Sequence, residues 1–314
     1  MQNLRIVFVM DQPQAIDISA DTTFALALEA QNRGHALYYA NPALISAEGG
    51  QPVAVIREMQ VSQEVDSPVF LGEAHRVKLD ESSDIVWQRK DPPVDAAYIY
   101  STQILALCRR CLVLNRPSSI LAANEKLYTL NFPDLMPETI VSLSSEELLS
   151  FLDRLGGEMV IKPLDGKGGE GIFVLRRNDV NLFSLIEQAT NFGSRLAMAQ
   201  QYLPAVRRGD KRILLLDGEP LGAVLRVPAS GELRANLHVG GSAARGVLED
   251  SDIEIIQSIG PRLREDGLFF VGIDVIGGKL TEINVTSPTG IQEMSRIDGV
   301  NYCATVIEAL ESKK

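Results

Sequence analysis

Three cysteines, three histidines and one tryptophan in 314 residues leave several chemistries without material. Cys108-Arg-Arg-Cys111 is a single CxxC with neither a second pair nor a neighbouring histidine, so it indicates no disulfide scaffold and no complete zinc site. Reduced thiols where a helix end runs into a strand are the expectation. His35, His75 and His238 are too scattered to form a metal cluster or an evident general base. Long apolar runs are also missing. The early run from Ile6 to Met10 is bracketed by Arg5 and Asp11, which argues against a signal peptide or membrane span and makes the cytoplasm the expected compartment. Positive charge is in deficit, 30 Lys and Arg against 41 Asp and Glu for a net charge of -11, so nucleic acid is not expected as a partner.

What is present is a chain long enough for two or three domains with proper cores. Residues 5–10 read as an apolar strand, 23–33 as an amphipathic helix closed by Gly34, and 36–40 as a second strand. Together they describe a βαβ unit on a parallel sheet. Strands at 53–61, 85–89 and 112–115, with a helix at 98–107, continue it. Open sheets of this kind bind ligands beyond the carboxyl ends of their strands, which singles out Met10-Asp11 and the stretch from Arg89 to Pro93. A boundary is expected near 117–124. Beyond it, Ser144-Ser-Glu-Glu147 reads as a capping box opening a helix to Leu155, strands follow at 159–164 and 171–176, a helix at 181–189 and a strand at 197–203. The rest is antiparallel in pattern: strands at 213–216 and 221–227 flank Asp217-Gly218, a helix spans 252–266, and a helix at 301–311 follows a last hairpin.

That hairpin, Gly272-Ile-Asp-Val-Ile-Gly-Gly-Lys-Leu-Thr-Glu-Ile-Asn-Val285, carries Asp274, Glu282 and Asn284. Residues two apart on a strand share a face, so Glu282 and Asn284 point the same way, and oxygen-only ligands suit hard cations such as Mg²⁺. Asp274 joins them if it pairs with Glu282. A two-residue loop at Gly277-Gly278 pairs it with Thr281 instead, so a three-residue loop with a bulge is expected.

Gly166-Lys-Gly-Gly-Glu-Gly171 spells GxGxxG, but it joins two apolar strands rather than a strand and a helix, which rejects a dinucleotide fingerprint. No Gly-Lys-Ser/Thr follows for a Walker A loop, and a kinase's His-Arg-Asp and Asp-Phe-Gly are absent. A glycine hairpin can still bring backbone N–H groups close to phosphate and close over it, with Lys162 on the strand feeding it. Arg207, Arg208, Lys211, Arg212, Arg226 and Arg234 cluster in an otherwise acidic chain and suggest a local anion site.

These pieces, in order, resemble the prokaryotic glutathione synthetases of the ATP-grasp superfamily. The resemblance runs through Met10-Asp11, Thr23-Phe24, Leu28-Glu-Ala-Gln31, Arg89 to Pro93, Asn124-Glu-Lys126, Lys162-Pro-Leu-Asp-Gly166, Gly209-Asp-Lys-Arg212, Gly218-Glu-Pro220 and Leu280-Thr-Glu-Ile-Asn-Val-Thr-Ser-Pro-Thr289. It implies an N-terminal open parallel-sheet, Rossmann-like domain (1–122) followed by a two-lobed ATP-grasp module (123–203 and 204–314), an α/β and α+β fold. Lys126 and Lys162 would hold ATP phosphates, with Gly166, Lys167, Gly168, Gly169, Glu170 and Gly171 over them. Gln200, Gln201, Tyr202 and Leu203 would surround adenine, and Asp210 would meet the ribose. Arg212 and Arg226 would stabilise the transferring phosphoryl group, and Asp274, Glu282 and Asn284 would bind two Mg²⁺ ions, with Mn²⁺ as a substitute. Arg89, Arg234, Asn236, Ser287, Pro288 and Thr289 would contact the peptide substrate.

The implied reaction joins γ-glutamylcysteine to glycine at the expense of ATP through an acyl phosphate, in a homotetramer with no nucleic-acid or membrane partner. Two covers are expected over the reacting groups, the glycine segment and residues 228–241. The chain departs from the family pattern at Ala235 and at Ser242, where an arginine is common, which removes one cation from recognition of the dipeptide carboxylates; Gln201 stands for a frequent asparagine. A ligase acting on another γ-glutamyl peptide, a non-catalytic nucleotide-binding protein and a small-molecule kinase are the alternatives. Asp274, Glu282, Asn284, Arg212 and Arg226 together argue against the second, since a fold without activity needs none of them.

Overall fold

The computed structural model describes residues 3–13, 16–64, 68–166, 168–229 and 240–314. Strand β1 (Arg5–Val9) lies inside a sheet covered on both faces: Ile6 and Phe8 enter one core, Val7 and Val9 another. Asp21 caps α1 (Thr22–Asn32) by accepting from the Phe24 N–H at 2.7 Å, and Gly34, at φ 88°, takes the left-handed conformation that turns the chain into β2 (Ala36–Glu48). Next come β3 (Gln51–Val61), β4 (Val69–Lys78), the short α2 (Leu79–Ser82), β5 (Ile85–Gln88), α3 (Ala96–Leu105) and β6 (Leu112–Leu114).

The expected parallel sheet is present in its inner half. β1 runs parallel to β2 and β5, and β5 to β6. β3 and β4 fold back antiparallel, so the order is β4-β3-β2-β1-β5-β6 and the sheet is mixed. β2 runs well past the expected end at 40, and β4 was not expected at all. Most of β4 faces solvent, so its sequence lacks the apolar alternation that marks a half-buried strand.

After α4 (Pro117–Ala122), a four-stranded antiparallel sheet is built from β7 (Thr139–Ser142), β8 (Glu158–Pro163), β9 (Phe173–Arg176) and β10 (Ala197–Gln201), in the order β7-β10-β8-β9. Helices α5 (Ser145–Arg154) and α6 (Leu182–Ala189) share one core with it, through Leu148, Phe151, Leu152, Leu182 and Ile186 against Met159, Ile161 and Leu175. Half of the expected capping box forms: Ser144 Oγ accepts from the Glu147 N–H, whereas the Glu147 carboxylate accepts from Ser142 Oγ rather than from the Ser144 backbone. The glycine segment joins β8 to β9.

The third sheet takes β11 (Asp210–Leu216), β12 (Glu219–Val227), β13 (Ser242–Arg245), β14 (Phe270–Ile276) and β15 (Lys279–Asn284) in the order β13-β12-β11-β14-β15. Between β13 and β14, α7 (Asp250–Glu265) buries Ile255, Ile256, Ile259 and Leu263 against Ile213, Leu215, Ile273 and Ile283. The opposite face carries Leu214 and Phe270 into the core of the first sheet, where the Trp87 ring stacks on Phe8 at 5.9 Å and meets Phe270 edge-on at 6.1 Å. Helix α8 (Ile291–Asp298) and helix α9 (Tyr302–Glu311) close the chain, and α9 adds Val306, Ile307 and Leu310 to that shared core.

Candidate active site

A cleft of about 700 Å³, within the range usual for ligand sites, lies between the second and third sheets. Its floor is set by register. Arg212 on β11 pairs directly with Asp274 on β14, and Asp210 with Arg226 on β12. These cross-strand neighbours bond one another: Arg212 Nε and Nη2 donate to the two Asp274 oxygens at 2.5 and 3.1 Å, and Arg226 Nη2 lies 2.5 Å from Asp210 Oδ2 and 2.9 Å from Asp274 Oδ2. Burial alone would raise the Asp274 carboxyl; Arg212 and Arg226 outweigh it and hold the group well below the usual carboxylate range. Asp210 goes the other way, pushed up to about 6 by burial, which Arg226 offsets only in part while the Asp274 charge adds to it.

The β14–β15 hairpin brings the three expected metal ligands to this floor by a route different from the one expected. Gly277 and Gly278, at φ 57° and 75°, form a two-residue turn with Ile276 paired to Lys279, so the three-residue loop is corrected. The odd residue sits in the strand. The register shifts after Asp274, leaving Thr281 as the extra residue and Glu282 opposite Asp274. Thr281 Oγ1 donates to the Asp274 carbonyl at 3.1 Å, and the Thr281 carbonyl accepts from Lys162 Nζ at 3.0 Å. Glu282 spends Oε1 on Lys126 Nζ at 3.0 Å, and the Asn284 amide lies 3.5 Å from Asp274 Oδ2. Asp274, Glu282 and Asn284 therefore share one face and offer only oxygen to a cation, which suits a hard divalent ion.

Lys126 also donates to the Gly166 carbonyl at 2.8 Å, tying the start of the glycine segment to the floor. Lys162 is buried, and burial lowers its ammonium to about 8 against the pull of Glu282. Gly168, Gly169 and Gly171 all have positive φ, and a Cβ at Gly166 would lie 2.9 Å from the Glu170 carbonyl, so the turn needs glycine here. Lys167, Arg234 and Asn236 lie outside the described residues, as does most of the expected cover at 228–241. Gln200, Gln201, Tyr202 and Leu203 line the cleft where β10 ends, with the buried Gln200 amide donating to Thr139 Oγ1 at 3.0 Å. Val160, Ile172, Val174, Val206 and Ile276, which no local sequence pattern marks, add apolar walls there.

Arg89 follows β5 and is buried. Its Nε donates to Thr23 Oγ1 at 3.1 Å and its Nη2 to the Pro288 carbonyl at 3.0 Å, so it ties the first turn of α1 to the segment Ser287, Pro288, Thr289. Nη1 is buried without a hydrogen-bond partner among the described residues, and burial lowers the guanidinium to about 10. A buried cation with an unused donor suits an anionic ligand. Ser287 and Thr289 line the cleft, whereas Pro288 contributes its carbonyl to Arg89 rather than a lining surface.

Glu125 is a further lining residue, quoted in the motif with Asn124 and Lys126 but not assigned a role. Its Oε1 accepts from Val285 N, Thr286 N and Thr286 Oγ1 at 2.9, 3.1 and 2.9 Å, which fixes the exit of β15. Burial, then the nearby Glu282 charge, raises its carboxyl.

Known proteins resemble this chain along nearly its whole length. Residues 4–120 match the family profile described as the prokaryotic glutathione synthetase N-terminal domain, and residues 125–299 that of the prokaryotic glutathione synthetase ATP-grasp domain. A glutathione synthetase of Gloeobacter violaceus is 46% identical over 304 residues, covering 95% of this chain and 93% of that one; one of Synechococcus elongatus is 45% identical, covering 98% of each. Among solved structures, the D-cycloserine synthetase DcsG superposes with a TM-score of 0.67 at 13% identity over 98% of this chain and 99% of the other. The ATP-grasp ligase PsnB with a minimal precursor gives 0.64 at 16% identity over the whole of both chains. At such identities these two establish the shared fold.

Proposed function

The chain belongs to the prokaryotic glutathione synthetase family, an ATP-dependent ligase joining γ-glutamylcysteine to glycine with release of ADP and phosphate, and from that premise we propose how its residues divide the work. The carrying observation is the row Asp210, Arg226, Asp274, Arg212 at hydrogen-bond distance along the cleft floor, flanked by Lys126 and Lys162. Four cations and, with Glu282, three carboxylates converge where a triphosphate has to be bound and split.

Adenine lies against the apolar walls and the backbone of Gln201, Tyr202 and Leu203, and Asp210 meets the ribose. Lys126, Lys162 and the glycine segment from Gly166 to Gly171, Lys167 and Glu170 included, hold the phosphates. Asp274, Glu282 and Asn284 would hold two Mg²⁺ ions, with Mn²⁺ as a substitute, which would supply charge neutralisation for the transfer. Arg212 and Arg226 neutralise Asp274 and face the cleft where they stabilise the transferring phosphoryl group.

The cysteinyl carboxylate attacks the γ-phosphorus and ADP leaves. Glycine's amine then attacks the carbonyl carbon of the acyl phosphate, phosphate departs, and the amine loses its proton. No side-chain nucleophile is required. Water would hydrolyse the acyl phosphate, so the glycine segment acts as a cover that excludes it, and the family resemblance implies a second at 228–241. Arg89, through Nη1, anchors a dipeptide carboxylate beside Ser287 and Thr289, with Arg234 and Asn236 as the further contacts that the resemblance implies.

The three sheets fall within residues 1–122, 123–203 and 204–314, which supports that division into domains. A homotetramer and a cytoplasmic location rest on the family resemblance; no helix among the described residues is long and apolar enough to cross a membrane. The test is ADP release with γ-glutamylcysteine, with and without glycine and across alternative dipeptides. Hydroxylamine should intercept the acyl phosphate as a hydroxamate when glycine is withheld; its absence, with ADP still formed, overturns the acyl-phosphate route.

A further inference from the structure

The CxxC pair acquires from the fold the third ligand that its sequence neighbourhood lacks. Asp80 in α2, Cys108 and Cys111 each offer one ligand atom, and these three atoms lie within 4.8 Å of one another. We propose that Asp80, Cys108 and Cys111 form a binding site for a soft divalent cation of the zinc class, separate from the ligase cleft.

Topology separates the two places. Asp80 precedes β5 and Cys111 immediately precedes β6, so the cluster sits at the amino-terminal edge of these parallel strands. Arg89 and the cleft residues Asp91 and Pro92 follow the carboxyl end of β5, at the opposite edge of the sheet.

The carboxylate is held ready. Asp80 Oδ1 accepts from the backbone N–H groups of Arg110 at 2.9 Å, Arg109 at 3.0 Å and Cys111 at 3.2 Å, so the loop that carries both thiols is wrapped around it. Outer donors of this kind orient a ligating carboxylate. With metal–sulfur bonds of about 2.3 Å, tetrahedral ligands stand roughly 3.8 Å apart, so side-chain rotation of an ångström or less closes the set. All three cysteines of the chain are free thiols.

Cys111 is buried while Asp80 and Cys108 are partly exposed, so the cluster is open on one side for a fourth, exchangeable ligand such as water. Ligand chemistry sorts the ions. Two thiolates favour zinc or cadmium over magnesium, and the all-oxygen set on β14 and β15 has the reverse preference. A bound ion would fasten α2 to the turn between α3 and β6.

The reduced full-length protein, freed of metal, is titrated with Cd²⁺ and then Zn²⁺ in the presence of excess Mg²⁺, following cadmium–thiolate charge-transfer absorption and the zinc bound per chain. One ion per chain is expected, with the thiolate signal lost in both Cys108→Ser and Cys111→Ser, and affinity about tenfold or more weaker in Asp80→Asn. All three variants should keep wild-type circular dichroism and turnover with Mg²⁺, which separates loss of this site from failure of the fold or of the ligase reading. A thiolate signal that survives in the Cys108→Ser/Cys111→Ser double variant, arising from Cys303, overturns the proposal. So does the absence of stoichiometric binding, or a Cys108–Cys111 disulfide that forms under the same reducing conditions in place of metal binding.

Discussion

Asp274 and Glu282 stand directly opposite each other on β14 and β15, with Thr281 as the extra residue that brings them into line. One added residue in β15 decides which face Glu282 takes, because side chains alternate with a period of two. Thr281 also holds the bulge at both ends, its hydroxyl on the Asp274 carbonyl and its own carbonyl on Lys162. On the proposed assignment, metal ligation and phosphate binding would be coupled through the backbone of a single residue.

Removing Arg226 should affect catalysis more than binding. It lies 2.5 Å from Asp210 and 2.9 Å from Asp274, the first partly buried and the second buried. Arg226→Ala should lower kcat by about two to three orders of magnitude with little change in the KM for ATP. Leaving the partly buried Asp210 without its cation, and the buried Asp274 with Arg212 alone, should also cost stability, by up to about 3 kcal/mol, read by denaturant unfolding. A pure KM effect contradicts the transition-state role.

Lys162 should give ATP binding its alkaline limb. Burial lowers its ammonium to about 8, against an ordinary value near 10.4. The charged form is the one that attracts phosphate, so affinity for ATP should fall as pH rises through about 8 in the wild type. Lys162→Met should bind ATP about tenfold or more weakly and lose that pH dependence. Calorimetric titration between pH 7 and 9 checks both; an unchanged slope in the variant excludes Lys162 as the source.

Glu125→Ala should act on the peptide substrate. Three donors from Val285 and Thr286 lose their acceptor, at a cost of about 1–3 kcal/mol, and the segment through Thr289 loses its anchor. The KM for γ-glutamylcysteine should rise about tenfold while that for ATP moves by less than about twofold. Equal shifts in both would place Glu125 in general stability rather than in substrate positioning.

The sequence disclosed much of this site and missed some of the means. Glu282 and Asn284 were legible as sharing a face because they are spaced by two, whereas the pairing of Asp274 with Glu282 was expected by the wrong route, a three-residue loop. The bulge was not: Thr281 reads like any strand residue, so the extra residue was assigned to the turn, which Gly277 and Gly278 complete alone. Asp217-Gly218 was legible as the β11–β12 turn, since both residues take positive φ. Arg89 was placed at a strand end, but its bond to the Pro288 carbonyl spans 199 positions, and no local pattern encodes that reach. Glu125 escaped for the same reason, its donors being 160 and 161 positions away. Asp80 completes the Cys108–Cys111 cluster only once α2 and the end of α3 meet.

Whether a divalent cation is held by oxygen donors of the β14–β15 hairpin is decided by Glu282→Ala. Turnover with saturating ATP, γ-glutamylcysteine and glycine, together with Mn²⁺ binding followed by electron paramagnetic resonance, is measured beside circular dichroism. Turnover should fall by about three orders of magnitude or more, with Mn²⁺ binding weakened and the fold intact. Near-normal turnover with unchanged Mn²⁺ affinity would contradict the assignment.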